Sequence, residues 1–304
     1  MAIGWSGVFP AVTTQVREDL SLALADTQRV VDDLVRDGVS GVIALGTVGE
    51  NNSLDFDEKV TVLTAIVEAV DGRVPVVTGV SEFDTRRAVR YAQAAETVGA
   101  DGLMLLPPMV YVPKPQELVN HFRGVAEQTE LPIMLYNNPP AYRTVIDQDV
   151  LSALVDVANI VAVKESAPDT RRFTDFRNAF GDRYVLFAGL DDVALEGLYL
   201  GAQGWVSGLT NAFPQESVEP VRAFERGDHA KAMEIYRWFM PLLHLDAEHD
   251  LVQSIKLAEQ VMGRGSERVL PPRYVLEGAR RAEVIALVEQ AAAIRPTLGL
   301  ARAA

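Results

Sequence analysis

The 304-residue chain contains no cysteine, which removes disulfide bonds, thiolate catalysis and Cys-ligated zinc or iron–sulfur centres together. That absence fits an intracellular protein. Basic residues are scarce as well: 28 Lys and Arg stand against 42 Asp and Glu, a net charge of −14. A surface of that sign repels nucleic acid and anionic membranes, so neither is expected as a partner. An anionic substrate is still admissible, because a few donors in a pocket outweigh a distant field screened by salt. Long apolar runs are missing too. No segment approaches the roughly 18 to 20 apolar residues that cross a bilayer, and the opening MAIGWSGVFPAVTTQ lacks a basic stretch followed by an apolar one. The expected location is the cytoplasm. Histidines number four, and His244 and His249 lie five residues apart, on different faces of a helix rather than at the i, i+4 spacing of a metal pair. Gly263-Arg-Gly265 follows no strand and so is no dinucleotide fingerprint. No metal and no organic cofactor is expected.

What the chain has is a hydrophobic content of 48%, enough for one large core with a small appendage. Short apolar runs recur at Gly7 to Thr14, Gly41 to Thr47, Val74 to Val80, Gly102 to Pro107, Pro132 to Asn137, Ile160 to Ser166, Tyr184 to Gly189 and Trp205 to Leu209. Amphipathic stretches lie between them, among them Asp55 to Val70, Asp84 to Val98, Pro115 to Thr129, Asp169 to Phe180 and Asp191 to Leu200. Eight such alternations predict an α/β fold of parallel strands closed into a (β/α)8 barrel, with an open doubly wound sheet as the competing architecture. After Leu209 only helical patterns follow: Glu216 to Arg226, His229 to Leu243, Leu251 to Met262 and Ala279 to Ala293. The expected division is a catalytic barrel over 1–227 and a C-terminal three-helix extension over 228–304.

Barrel chemistry sits at the C-terminal ends of the strands. Lys164 closes the run Ile160-Val-Ala-Val, where desolvation drives an ammonium towards the neutral, nucleophilic amine. A lone lysine there can equally snorkel to solvent. Tyr136 ends the preceding strand one strand–helix–loop unit earlier, so the two side chains are expected at similar height, and a phenol beside an imine-forming lysine can shuttle protons. By itself, a tyrosine in that place is as readily a packed aromatic. Gly46-Thr-Val-Gly-Glu50 offers a tight turn whose amides, with the Thr47 hydroxyl, can hold a carboxylate. Asn138, Ser207, Asp191 and Asp192 also stand at strand ends, the two aspartates as contacts to substrate hydroxyls or as caps of the next helix.

Taken in order, Gly46-Thr-Val-Gly-Glu50, Tyr136-Asn-Asn-Pro139 and Val163-Lys-Glu-Ser166 resemble the dihydrodipicolinate synthase and N-acetylneuraminate lyase family of class I aldolase-like enzymes. The likeness extends over the whole chain, from Gly7-Val-Phe-Pro-Ala-Val-Thr-Thr14 to Gly201-Ala-Gln-Gly-Trp-Val-Ser207 and the helical tail. It implies that Lys164 forms a Schiff base and that Tyr136 relays protons. It further implies that Thr47, Val48 and Gly49 bind the substrate carboxylate and that the chain assembles as a homotetramer of paired dimers. Three departures stand out. Val48 replaces a second threonine, Tyr111 falls one residue after the family's tyrosine position at Val110, and Arg143 comes seven residues after Tyr136, later than the family's carboxylate-binding arginine. Lysine-pathway condensation is therefore disfavoured.

Tyr136-Asn-Asn-Pro-Pro140, Asp169-Thr-Arg-Arg-Phe173, Phe187-Ala-Gly-Leu-Asp-Asp-Val193, Gly204-Trp-Val-Ser-Gly208 and Leu243-His-Leu-Asp-Ala247 resemble the Δ1-pyrroline-4-hydroxy-2-carboxylate deaminase branch, which serves hydroxyproline breakdown. The resemblance implies a small cyclic imino acid or 2-keto acid as substrate, with Tyr111, Asn138, Arg143, Asp191 and Ser207 among its contacts. The alternatives are a lyase for a 2-keto-3-deoxy sugar acid, pyruvate condensation of the dihydrodipicolinate synthase type, and a non-catalytic protein that has kept the pocket.

Overall fold

The computed structural model describes residues 3–108 and 110–298; the last six residues of the 228–304 region lie outside the described residues. Eight short strands run β1 (Gly7–Pro10), β2 (Val42–Ala44), β3 (Val76–Val80), β4 (Gly102–Leu105), β5 (Ile133–Asn137), β6 (Ile160–Glu165), β7 (Val185–Ala188) and β8 (Gly204–Ser207). The helices are α1 (Leu24–Arg36), α2 (Phe56–Val70), α3 (Thr85–Val98), α4 (Pro115–Ala126), α5 (Pro139–Tyr142), α6 (Gln148–Ser152), α7 (Arg171–Phe180), α8 (Ala194–Tyr199), α9 (Pro214–Glu225), α10 (His229–Leu243), α11 (Leu251–Val261) and α12 (Gly278–Ala293). Strand pairing is parallel around the order β1-β8-β7-β6-β5-β4-β3-β2. A parallel bridge from Ala11 to Ile43, with the Val12 amide donating to the Ile43 carbonyl at 2.9 Å, joins the two ends. The sheet is thus a closed barrel rather than an open one, and closure leaves no strand edge exposed.

The strands are buried on both faces, as their unbroken apolar runs require. Inside the barrel, Phe9 and Phe187 meet edge to face at 5.2 Å. Gly41 and Gly204 lie flat against those two rings, and a Cβ at either glycine would overlap them. Each large ring is thus matched by a glycine on or just before a neighbouring strand. Helix starts follow local chemistry: Asp55 and Glu58 form a reciprocal capping box on α2, and Asp84 caps α3. Gly99 ends α3 in the left-handed region that an L side chain adopts only with strain.

The differences from the sequence expectation are local. The run from Gly7 does not continue as strand to Thr14, because after Ala11 and Val12 close the barrel the next two residues serve the C-terminal helices. Thr13 donates to Glu259 Oε1 at 3.0 Å, and the Thr14 carbonyl accepts from Lys256 Nζ at 2.8 Å. The Asp191–Leu200 pattern divides into a 3-10 turn, Asp191–Val193, and α8. α5 and α6 are one-turn helices between β5 and β6, too short to leave a periodic signal.

α11 brings charge into the core. Lys256 and Glu50 are fully buried and paired at 2.8 Å, and Glu50 also accepts the Leu270 amide at 2.7 Å. Removing one partner of such a pair costs about 3 to 5 kcal/mol, whereas an exposed pair like Arg36–Asp32 is worth about 0 to 1 kcal/mol. This connection therefore matters to tail docking and the surface pairs hardly do. Glu259 is buried nearby with Oε2 unpartnered. Burial pushes its carboxyl up to about 7, only partly offset by Thr13 and Lys256. Its folded value lies above the ordinary 4.5. The protein therefore loses stability as pH rises through the interval between those values, and below it both states are protonated. Urea unfolding of Glu259→Gln across that interval is expected to show a flatter pH dependence than wild type; an unchanged slope would contradict the buried acid.

Candidate active site

β5 and β6 pair in a register that sets Tyr136 beside Lys164 and Asn137 beside Glu165. Side chains alternate along a strand, so the first pair enters the mouth of the barrel and the second turns outward. Lys164 Nζ sits 3.9 Å from the centre of the Tyr136 ring. Behind them, Asn137 Nδ2 donates to both Glu165 oxygens at 2.8 Å while its own Oδ1 accepts the Ile146 amide at 2.8 Å. Arg172 closes the cluster on Glu165 at 2.8 Å, its charge opposing the upward push that burial gives the Glu165 carboxyl. The strand ends that carry the inward pair are locked by this outward one. Gly189 supplies the space for the lysine stem: a Cβ there would lie 2.7 Å from Lys164 Cε and would overlap Ser166 Oγ.

The turn after β2 forms the opposite wall. Leu45 and Glu50 hold left-handed conformations, φ 52° and 56°, and bracket Gly46-Thr-Val-Gly49. Residues held in that region mark a turn fixed by its surroundings. The amides of Thr47 and Val48 meet no acceptor among the described residues, leaving two donors beside the Thr47 hydroxyl for an anion. That hydroxyl is 3.0 Å from the Tyr142 hydroxyl. Tyr142 meets Tyr136 edge to face at 5.7 Å, and Asn138 Nδ2 donates to Tyr136 Oη at 3.0 Å. The result is a cavity of about 90 Å³ lined by Thr47, Val48, Tyr136, Asn138, Tyr142 and Lys164, with Asp246 and Leu251 contributed from the segment after the barrel.

Burial dominates the electrostatics. It pushes Tyr136 up to about 12, with hydrogen bonds from neighbours, Asn138 first, opposing it, so the resting group is a phenol. Tyr142 is raised for the same reason. Lys164 is lowered by desolvation, with Asp246 the main opposing charge, followed by Tyr142 and Asp191. Asp246 is itself pushed up to about 6 by burial, with the Lys164 charge pulling it back. The arrangement shifts a buried amine towards its nucleophilic form beside a phenol able to donate or accept a proton.

Lys164, Tyr136, Thr47, Val48 and Asn138 thus converge on one pocket, and other candidates do not. Asp191 is fully buried and spends its carboxylate on Trp205 Nε1 at 2.9 Å, Ser207 Oγ at 3.1 Å and the Leu209 amide at 3.0 Å. It caps no helix and touches no open space, and it takes Ser207 with it into the wall. Asp192 pairs with His244 at 3.0 Å. Gly49 is packed against Leu45 and Val12, with its carbonyl accepting from Thr14. Arg143 ends α5 in a left-handed conformation and points to solvent. Tyr111 follows a left-handed Val110 and is 56% exposed. Sequence reading passed over Tyr142, one residue before Arg143, and Asp246. The latter lies inside Leu243-His-Leu-Asp-Ala247, but a 3-10 turn after a helix carries no periodicity that would aim it at the pocket.

A closed eight-stranded barrel with a buried lysine near the end of its sixth strand and a tyrosine near the end of its fifth belongs to the class I aldolase type of architecture. Residues 4–291 match the dihydrodipicolinate synthetase family, and the chain belongs to that family. It is 36% identical over 238 residues to the 4-hydroxy-tetrahydrodipicolinate synthase of Methanothrix thermoacetophila, covering 78% of this chain and 80% of that one. To the enzyme of the same name from Ruegeria pomeroyi it is 31% identical over 289 residues, 94% and 99% of the two chains. Among solved structures, a prophage protein of the family from E. coli K12, crystallised with pyruvate, superimposes with a TM-score of 0.91 at 29% identity over 95% of this chain and 99% of the other.

The glycine at 189 gives the geometry a direct check. Gly189→Ala is expected to lower stability by about 1 to 3 kcal/mol through overpacking and to slow modification of Lys164 by an amine-directed reagent relative to the other lysines. Mass mapping after limited labelling measures the second effect. Undiminished labelling of Lys164 would show that the stem is not held by this contact.

Proposed function

We propose that Lys164 forms a Schiff base at C2 of a small 2-keto acid skeleton, and that the substrate is Δ1-pyrroline-4-hydroxy-2-carboxylate, deaminated to 2,5-dioxopentanoate and ammonia. The observation that carries the reading is the composition of the pocket. Lys164 is its sole cation among the described residues, and the Thr47 corner offers one place for a carboxylate. A substrate with a single carboxylate and otherwise neutral polar groups fits that inventory.

In this reading the lysine amine attacks C2 of the cyclic imine and the ring C2–N bond breaks, leaving a free amine at C5. A proton leaves C3, and the enamine electron pair expels the C4 hydroxyl as water. Tautomerisation moves unsaturation to the C5–N bond. One water then frees Lys164 from C2 and another releases ammonia from C5, so the sum is substrate plus one water. Tyr136, with Tyr142 and Thr47 beyond it, is the path for protons at the imine. We further propose a homotetramer of paired dimers, with the exposed apolar run Val110, Tyr111 and Val112 at a contact between copies.

A second reading, condensation of pyruvate with an aldehyde, is favoured by the names of the relatives at 31 to 36% identity. It shares the imine and differs in product. Assays for ammonia from the cyclic imine, for pyruvate release from 2-keto-3-deoxy sugar acids, and for pyruvate consumption with an aldehyde partner distinguish deaminase, lyase and synthase. Ammonia release is the expected result, and pyruvate consumption alone would overturn the substrate assignment.

Two further outcomes are expected. Borohydride added with substrate or pyruvate traps a covalent adduct on Lys164 and none in Lys164→Ala; an adduct mapped to Lys59, Lys114, Lys231 or Lys256 would remove the central assignment. Tyr136→Phe lowers kcat by about 10² to 10⁴ with little change in KM, while Thr47→Val raises KM more than it lowers kcat. Near-wild-type turnover in Tyr136→Phe would make its hydroxyl structural.

A further inference from the structure

The 3-10 turn His244–Ala247, which joins α10 to α11, sets a carboxylate into the pocket from outside the barrel. Asp246 lines the same narrow cavity as Lys164 and Tyr136, and no salt bridge joins it to Lys164 among the described residues. Room for the carboxylate is built in. Gly208, just past β8, faces Asp246 Oδ1, and a Cβ at that glycine would lie 2.7 Å from the oxygen and would overlap Ile255.

We propose that Asp246 is a further catalytic residue, the general acid that protonates the leaving hydroxyl at the substrate carbon two bonds from the imine carbon. This rests on the deaminase reading above. In the step, the C3=C2 enamine pair forms the C3=C4 bond, the C4–O bond breaks, and the Asp246 carboxyl proton leaves with the oxygen as water. The carboxylate so formed is available to take up the proton that tautomerisation releases at C5, restoring the acid.

The surroundings fit a group that holds and gives up a proton near neutrality. Burial raises the Asp246 carboxyl to about 6, against the pull of Lys164 on β6 and a hydrogen bond from the Asp191 backbone. Asp192, on the same turn, pushes it further up. The other titratable groups facing it are Asp191, whose carboxyl it in turn raises, and the Tyr136 phenol. From α11, Lys256 and Glu259 are turned away to Glu50 and Thr13. Neither Tyr136 nor Tyr142 serves as well for this proton, because both phenols are raised and sit on the carboxylate-binding side with Thr47.

The test uses Asp246→Asn and Asp246→Ala with the cyclic imine as substrate. In Asp246→Asn, imine formation on Lys164 is expected to persist, ammonia release to fall by about 10² to 10⁴, and the borohydride-trapped adduct to retain the C4 oxygen. Formate is expected to restore part of the rate in Asp246→Ala by standing in for the missing carboxyl. Retention of near-wild-type ammonia release, or a trapped adduct that has already lost the oxygen, overturns the role. So does loss of imine formation in the folded Asn variant, which would make Asp246 a positioning residue for Lys164. Should the wild-type protein itself form the imine but release no ammonia, the substrate reading fails and takes this proposal with it, an outcome separable from failure in the variants alone.

Discussion

The parallel register between β5 and β6 is the constraint on which the rest depends. It puts one residue of each strand inside the barrel mouth and the next residue of each outside. Both pairs are buried polar groups that would be costly without partners. The outer pair finds them in a closed network of Asn137, Glu165 and Arg172 with the Ile146 backbone. In the inner pair the Tyr136 hydroxyl accepts from Asn138, while Lys164 meets the face of the Tyr136 ring and, among the described residues, no carboxylate within ion-pair distance. Satisfied polar groups on one face hold the strands still, so an amine without an ion-pair partner can be held in place on the other. A one-residue slip of either strand would exchange the two faces and end both functions.

Much of the barrel was legible because it rests on repetition. Eight apolar runs with helices between them leave few alternatives, and the helix boundaries follow caps such as Asp55, Asp84 and Gly99 that announce themselves in sequence. Lys164 and Tyr136 could be placed for the same reason: a strand end is a position the pattern supplies. Asp191 shows where that logic stops. A carboxylate at a strand end reads as available to a ligand, yet the indole of Trp205, the Ser207 hydroxyl and the Leu209 amide consume it. No rule of spacing says that a tryptophan fourteen residues on will turn its N–H inward.

Tyr142 and Asp246 were hidden for a different reason. Both lie in single helical turns, α5 and the turn between α10 and α11, whose orientation is set by what they pack against. Arg143 illustrates the sensitivity. Adjacent in sequence, Tyr142 enters the pocket and Arg143 leaves it, because the chain passes into the left-handed region between them. The arginine that the resemblance placed among the substrate contacts thus lands in solvent, while its neighbour takes the contact with Thr47.

A tyrosine rather than an arginine at this wall limits what the pocket can accept. With a guanidinium facing inward the cavity would hold two fixed positive centres and favour a second carboxylate. As built, it holds one amine, two phenols and one carboxyl. Before imine formation, Asp246 opposes the desolvation that lowers Lys164, keeping the amine more basic than burial alone would. In its ionised form the same carboxyl would favour a cation at the Lys164 nitrogen, and in its protonated form it offers a hydrogen at the far end of the cavity. A second anionic substituent on the substrate would compete with Asp246 for that cation and bear the desolvation cost unpaired. The carboxyl contributed by the C-terminal segment therefore biases the far end of the pocket against a second anion, where an added arginine would favour one.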